Sequence, residues 1–184
     1  MLALVLAGLL AGTTIAQAQL SPPSFDQQFQ NARALAIAGQ REAALSAYTA
    51  LLQQSPGNAD VLLGRGRLYA WMGKWAEAEA DLSGATIAAP AYADTWSALG
   101  DLYLWSDRPG QAAAAYGRWL ALAAPGDPAP LIARGRALRA AGEFAAARAD
   151  FQAAGDRGAD PAQIADYLRS MAPRAPAPDI YGPA

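Results

Sequence analysis

Two reactive side chains are missing altogether: the 184 residues contain no cysteine and no histidine. Without cysteine the chain has no disulfide framework and no thiol chemistry, and it can persist in an oxidising compartment. Without histidine it lacks the commonest general base, the usual zinc ligands and both the Ser-His-Asp and Cys-His arrangements. Lysine is scarce as well. Thirteen of the fourteen basic residues are arginine, a usage that fits a GC-rich coding sequence alongside the abundant alanine. A formal charge of −2 gives no general attraction to nucleic acid or anionic lipid. No G-x-S-x-G, P-loop or calcium-loop signature is found, and no cluster of metal ligands. The chain therefore reads as a non-enzyme with no cofactor, no metal and no nucleic-acid partner.

What is present is a repeat. Gly66, Tyr69, Trp71 and Ala78 return as Gly100, Tyr103, Trp105 and Ala112, all displaced by one constant interval, and Pro90 follows Pro56 by the same step. A fixed period of that length marks an array in which each unit buries its apolar face against its neighbours. The residues at these spacings resemble the tetratricopeptide repeat, a helix–turn–helix with a W-x2-L-G-x2-Y…A-x3-F…P pattern. Residues 93–127 match best, with Trp96, Leu99, Gly100, Tyr103, Ala112 and Tyr116, and with Pro125 displaced by one. Residues 59–92 supply Leu62, Gly66, Tyr69, Ala78, Leu82 and Pro90. Residues 25–58 keep Ala44, Tyr48 and Pro56 but carry Ala32 and Leu35 at the glycine and tyrosine positions. Residues 128–161 give Leu131, Gly135, Leu138, Ala147 and Phe151 and lack the proline. The resemblance implies an all-α solenoid of antiparallel helix pairs.

The two ends differ from this pattern. Leu2 to Leu10 is an unbroken apolar run, and Ala16-Gln17-Ala18 is an A-x-A site, so residues 1–18 read as a signal peptide cleaved before Gln19. No Lys or Arg precedes the run, a departure from the signal pattern. The run is shorter than the ~20 residues of a membrane-spanning helix, so no span is expected in the mature chain. The mature protein is then periplasmic or secreted. Residues 19–24, with Pro22-Pro23, read as a linker. Asp160-Pro161 opens a capping helix over residues 161–172, with Ile164, Leu168 and Met171 on one face beside Tyr167. Residues 173–184 read as a proline-rich, disordered tail.

Each repeat is predicted to be two helices: Phe25–Ala38 with Arg41–Gln54, Ala59–Met72 with Trp75–Ala88, Ala93–Trp105 with Pro109–Ala123, and Pro128–Ala141 with Phe144–Ala154. Gly39, Gly73 and Gly142 suit the turns, and Asp107 takes the glycine's place in the third. Gly66, Gly100 and Gly135 face the small residues Ala78, Ala112 and Ala147 for close helix approach, and Tyr48, Tyr69, Tyr103, Tyr116 and Phe151 fill the core.

At ~100° per residue, a second set of positions on each first helix points away from this packing side. The resemblance makes that side the inner wall of a superhelix, where ligands dock. From the first repeat it carries Phe29, Arg33 and Ile37, beside Asp26. The second gives Leu63, Arg67 and Trp71, beside Asp60. The third gives Asp101, Leu104 and Trp105, with Asp94 and Ser97, and the fourth Ile132, Arg136 and Arg139. Large aromatics on a groove wall are typical binding anchors. Arg67, Asp101 and Arg136 share one repeat position, so mutual neutralisation competes with ligand contact there. The lysine–asparagine clamp that the family uses for C-terminal carboxylates is absent from this wall.

The leading expectation is a scaffold that binds an extended or helical segment of another envelope or secreted protein. Tyr-x-Trp endings followed by Gly73-Lys74-Trp75 are similar to repeats attached to exopolysaccharide-export proteins, which implies envelope assembly or polysaccharide-export machinery. A carbohydrate-binding module and a chaperone of secreted apoproteins, as in cytochrome c maturation, are the alternatives.

Overall fold

A computed structural model describes residues 22–171, so the signal-peptide, cleavage-site and tail expectations fall outside the described residues. Among the described residues there are nine helices and no strands: α1 (Phe25–Ile37), α2 (Arg41–Gln54), α3 (Ala59–Trp71), α4 (Trp75–Ala88), α5 (Ala93–Trp105), α6 (Pro109–Leu122), α7 (Ala129–Ala140), α8 (Phe144–Asp156) and α9 (Pro161–Arg169). No helix among the described residues is long and apolar enough to cross a membrane.

The helices begin and end where local chemistry dictates. Ser24 opens α1 with a reciprocal capping box: its hydroxyl accepts from the Gln27 N–H at 3.2 Å, and its own N–H donates to the Gln27 side chain at 2.9 Å. Asn58 and Asp160 cap α3 and α9 by accepting from the Val61 and Ala162 N–H groups. Pro109 sits in the first turn of α6, where a missing N–H costs nothing. The turns inside the four repeats share a left-handed residue: Gly39, Gly73 and Gly142 at φ 74°, 71° and 83°, and Asp107 at φ 58°. Each time the following N–H donates back to the carbonyl five residues earlier, as from Arg108 to Tyr103 at 2.8 Å.

In the second, third and fourth repeats the two helices touch at a glycine. A Cβ on Gly100 would lie 2.4 Å from the Tyr116 ring, and Cβ atoms on Gly66 and Gly135 would lie 2.8 Å from Leu82 and Phe151. The rings and leucines behind these glycines are fully buried. Gly64 has the same relation to Tyr48, at 2.9 Å, but reaches across from the second repeat to the first.

Side by side, α1 meets α3 and α3 meets α5, which makes a wall of first helices. The fourth repeat breaks the series: α7 lies chiefly along α6, as intimately as the two helices of a repeat, and scarcely on α5. The third repeat is one residue longer, and the Pro125-Gly126-Asp127-Pro128 link lies at that junction. The array closes with α9, whose Ile164 is buried and whose Tyr167 ring stacks on Phe151, centroids 4.4 Å apart and planes 9° apart.

Two carboxylates lie in the interior rather than on the solvated surface. Asp81 and Asp150 are 6% and 5% exposed. Each is held by an arginine from the first helix of its own repeat, Arg65 and Arg134.

Candidate binding groove

The wall formed by α1 and α3 encloses an open pocket of about 260 Å³. Six of the sequence-predicted residues line it: Phe29, Arg33 and Ile37 from α1, and Leu63, Arg67 and Trp71 from α3. Tyr48 closes it from behind, and Asp60, Tyr92 and Asp94 line it at the start of α3 and α5. Ile37, Trp71 and Trp105 end their helices at one repeat position and stay open to solvent, 80%, 58% and 51% exposed. They form three successive apolar rungs along the edge of the wall. Leu63, by contrast, is buried and serves the core.

The remaining predicted residues are placed differently. Asp101 accepts a hydrogen bond from the Tyr116 hydroxyl at 2.6 Å. Burial, followed by that bond, raises the Tyr116 phenol well above its ordinary pKa. Leu104 and Ile132 are half-buried against the clusters around Tyr116 and Phe151. Arg139 donates to the Ser170 hydroxyl at 2.6 Å and lies over the Tyr167 ring, so it fastens the capping helix. Arg136 is exposed, and its charge is felt at Tyr116. Among the described residues no ion pair links Arg67, Asp101 and Arg136. Direct pairing therefore does not neutralise that row.

The polar frame that holds the wall in register is not foreseen from the sequence motifs. Arg65 donates to both Asp81 oxygens and, through Nη1, to the Thr49 hydroxyl of the preceding repeat at 3.1 Å. Arg134 and Asp150 repeat the two-pronged contact. Glu79 joins the second and third repeats by accepting from the Tyr103 hydroxyl at 3.0 Å and from Arg108 at 2.7 Å. A signal was available. The seventh position of the repeat holds Asn31, Arg65, Leu99 and Arg134, and the twenty-third holds Ala47, Asp81, Ala115 and Asp150. Arginine at one occurs only with aspartate at the other. In the third repeat, where Leu99 and Ala115 replace the pair, a separate cleft of about 410 Å³ opens between Trp96, Tyr103 and Arg118, and it shares no residue with the groove pocket.

Among the described residues no group of three carboxylates is placed to hold a metal ion. The wall offers apolar rungs, two guanidinium groups and a phenol, which suit binding.

Comparison with known proteins agrees with this architecture. The family model for the tetratricopeptide repeat matches residues 35–102. No curated protein matches the sequence. The fold superimposes on MamA with a TM-score of 0.69 at 19% identity, covering 76% of this chain and 81% of that one. It superimposes on TTC0263, a thermophilic TPR protein of Thermus thermophilus, with a TM-score of 0.65 at 18% identity, covering 82% of each. YrrB, described as a TPR protein with an unusual peptide-binding site, gives 0.69 at 20% identity, covering 80% of this chain and 76% of that one. At such identities the likeness concerns the fold. The chain thus has the fold of a tetratricopeptide-repeat solenoid, and residues 35–102 match that repeat family.

Proposed function

We propose that the protein is a scaffold that binds a segment of another protein along the wall of α1, α3 and α5. The observation that carries this reading is the row Ile37, Trp71 and Trp105: three large apolar side chains at one repeat position, left exposed while their neighbours pack. Adjacent helices pack ~8–10 Å apart. Three residues of extended chain at ~3.3 Å each cover that distance, so successive rungs suit side chains three residues apart on one bound segment. The A-x-A site supports an envelope or secreted setting, and envelope assembly or export is the role we assign there. A carbohydrate reading rests on the same open tryptophan faces, which could stack on sugar rings.

Trp71→Ala and Trp105→Ala separate these outcomes. Both residues are more than half exposed, so the variants should keep their helical content and melting temperature. Capture of the partner from envelope extract should fall by roughly thirtyfold or more, the loss that truncating a central anchor produces. Variants that unfold would make the rings structural. Folded variants that lose only polysaccharide retention would favour the carbohydrate reading.

A further inference from the structure

The twenty-fourth position of the repeat is a tyrosine twice, and the two hydroxyls meet opposite company. Tyr116 donates to Asp101 at 2.6 Å. Tyr48 stands two repeats upstream of Tyr116, and Arg33 stands two repeats upstream of Asp101. In the first repeat, therefore, a phenol faces a guanidinium where the third repeat has a phenol on a carboxylate. Tyr48 is 2% exposed, its hydroxyl has no hydrogen-bond partner among the described residues, and it lines the groove pocket from behind. Burial raises its pKa, and the Arg33 charge lowers it in part.

The second guanidinium at that level of the pocket is equally unspent. Arg33 makes a 3.4 Å contact to Gln30 and lies over the Phe29 ring, and Arg67 makes a 3.4 Å contact to the Asp94 carbonyl; neither is ion-paired among the described residues. Of the pocket's own carboxylates, Asp60 sits seven residues before Arg67 on α3, about 10 Å along the helix axis, and Asp94 lies on α5, where its backbone carbonyl meets Arg67. Asp60 is engaged beside the Tyr92 phenol, whose pKa is raised by burial first and then by that carboxylate.

We propose that this pocket takes one acidic side chain, a glutamate or aspartate of the bound segment, whose carboxylate occupies at Tyr48 the place that Asp101 occupies at Tyr116. The inference rests on the groove being the binding surface. A phenol and two guanidiniums make short, charge-assisted hydrogen bonds to a carboxylate, stronger than neutral ones. A side chain fits better than a chain end, because Tyr48 belongs to the second layer of helices and is reached only through the wall. Ile37 and Trp71 line the same pocket, so a backbone seated on them presents its side chains to it. Asp60 and Asp94 line the same pocket and disfavour a second carboxylate, so the site selects a single acid rather than an acidic run.

The test uses the purified full chain and three pentapeptides, read by Trp71 fluorescence or by amide NMR shifts of the pocket residues. The first is acetylated, amidated Ala-Leu-Glu-Leu-Ala. The second has glutamine for glutamate, and the third is the glutamine peptide with a free C-terminus. The glutamate peptide should bind about tenfold or more tighter than the amidated glutamine peptide. Tyr48→Phe should remove most of that difference, whereas Tyr116→Phe should leave it. Arg33→Gln, on an exposed side chain, should give the same loss even if Tyr48→Phe disturbs the fold. Equal affinity for the glutamate and amidated glutamine peptides would overturn the acidic-side-chain site while leaving the groove as a binding surface. Tightest binding by the free-acid peptide would assign the pocket to a chain terminus, and no binding of the glutamate peptide at millimolar concentration would refute the site outright. The tryptophan variants test the groove itself.

Discussion

Arg65 grips Asp81 with two nitrogens, Nε on Oδ2 at 2.7 Å and Nη2 on Oδ1 at 2.8 Å, and spends its third on the Thr49 hydroxyl of the previous repeat. One side chain thereby fixes both the angle within a helix pair and the seat of that pair on its neighbour. Removing one partner of a buried pair leaves an unpaired charge, which costs more than replacing both with apolar groups. Asp81→Ala should therefore lower unfolding stability by about 2–3 kcal/mol in urea titrations, the Arg65 side chain being partly solvated. Arg65→Leu with Asp81→Ala, which copies the Leu99 and Ala115 of the third repeat, should cost less than Asp81→Ala alone. A double variant worse than the single one would show that the pair is irreplaceable.

Two glycines in the same helix pair should respond in opposite directions. A Cβ at Gly100 would strike the Tyr116 ring at 2.4 Å, so Gly100→Ala should destabilise by about 1–3 kcal/mol. At Gly117 the nearest atoms to a new Cβ belong to Arg134, at 4.0 Å, which is ordinary contact. Gly117→Ala removes a helix-interior glycine and should stabilise by about 0.5–1 kcal/mol. Thermal melts of the two variants decide the matter, and a loss at Gly117 would mean that α7 needs the gap.

Asp107 is the one turn residue with φ near +60° that is not glycine among the described residues. The left-handed conformation costs an L-residue roughly 1–2 kcal/mol, less for aspartate, and glycine loses more freedom from the unfolded chain. Asp107→Gly should raise the melting temperature slightly, whereas Gly73→Ala at the equivalent turn should lower it by a few degrees. A drop on Asp107→Gly would reveal an unrecognised role for the carboxylate.

Ending the chain after Asp160 removes the helix whose Tyr167 covers Phe151 and whose Ile164 joins the same cluster. A solenoid end stripped of its polar cap exposes the face meant for a neighbour. The truncated protein should self-associate in light scattering and melt at lower temperature. A stable monomer would make α9 dispensable.

The repeat period and the glycine contacts were legible because close packing leaves a fixed mark: Gly66, Gly100 and Gly135 are where a ring or leucine presses on backbone. The inner-wall positions on α1 and α3 were legible for the same geometric reason. Arg65 and Arg134 were not, because a charged residue on an amphipathic helix is ordinarily solvated, and only the matching aspartate on the second helix of the same repeat gives the pairing away. The departure of α7 from the wall was not legible, because the single extra residue falls in the link after α6 and alters no motif. Ile132 and Arg139 therefore follow the pattern in sequence but are spent on the core and the cap in space.

That turn of α7 away from α5 makes the wall a ruler. Only three rungs stand in line, and at ~10 Å per step they measure out ~20 Å. An extended segment fills that distance with about seven residues. A longer segment overhangs the wall beyond Ile37 or Trp105, with its remaining length free for whatever else it is attached to. On the proposed function, the scaffold reads a short stretch of its partner and is indifferent to the rest.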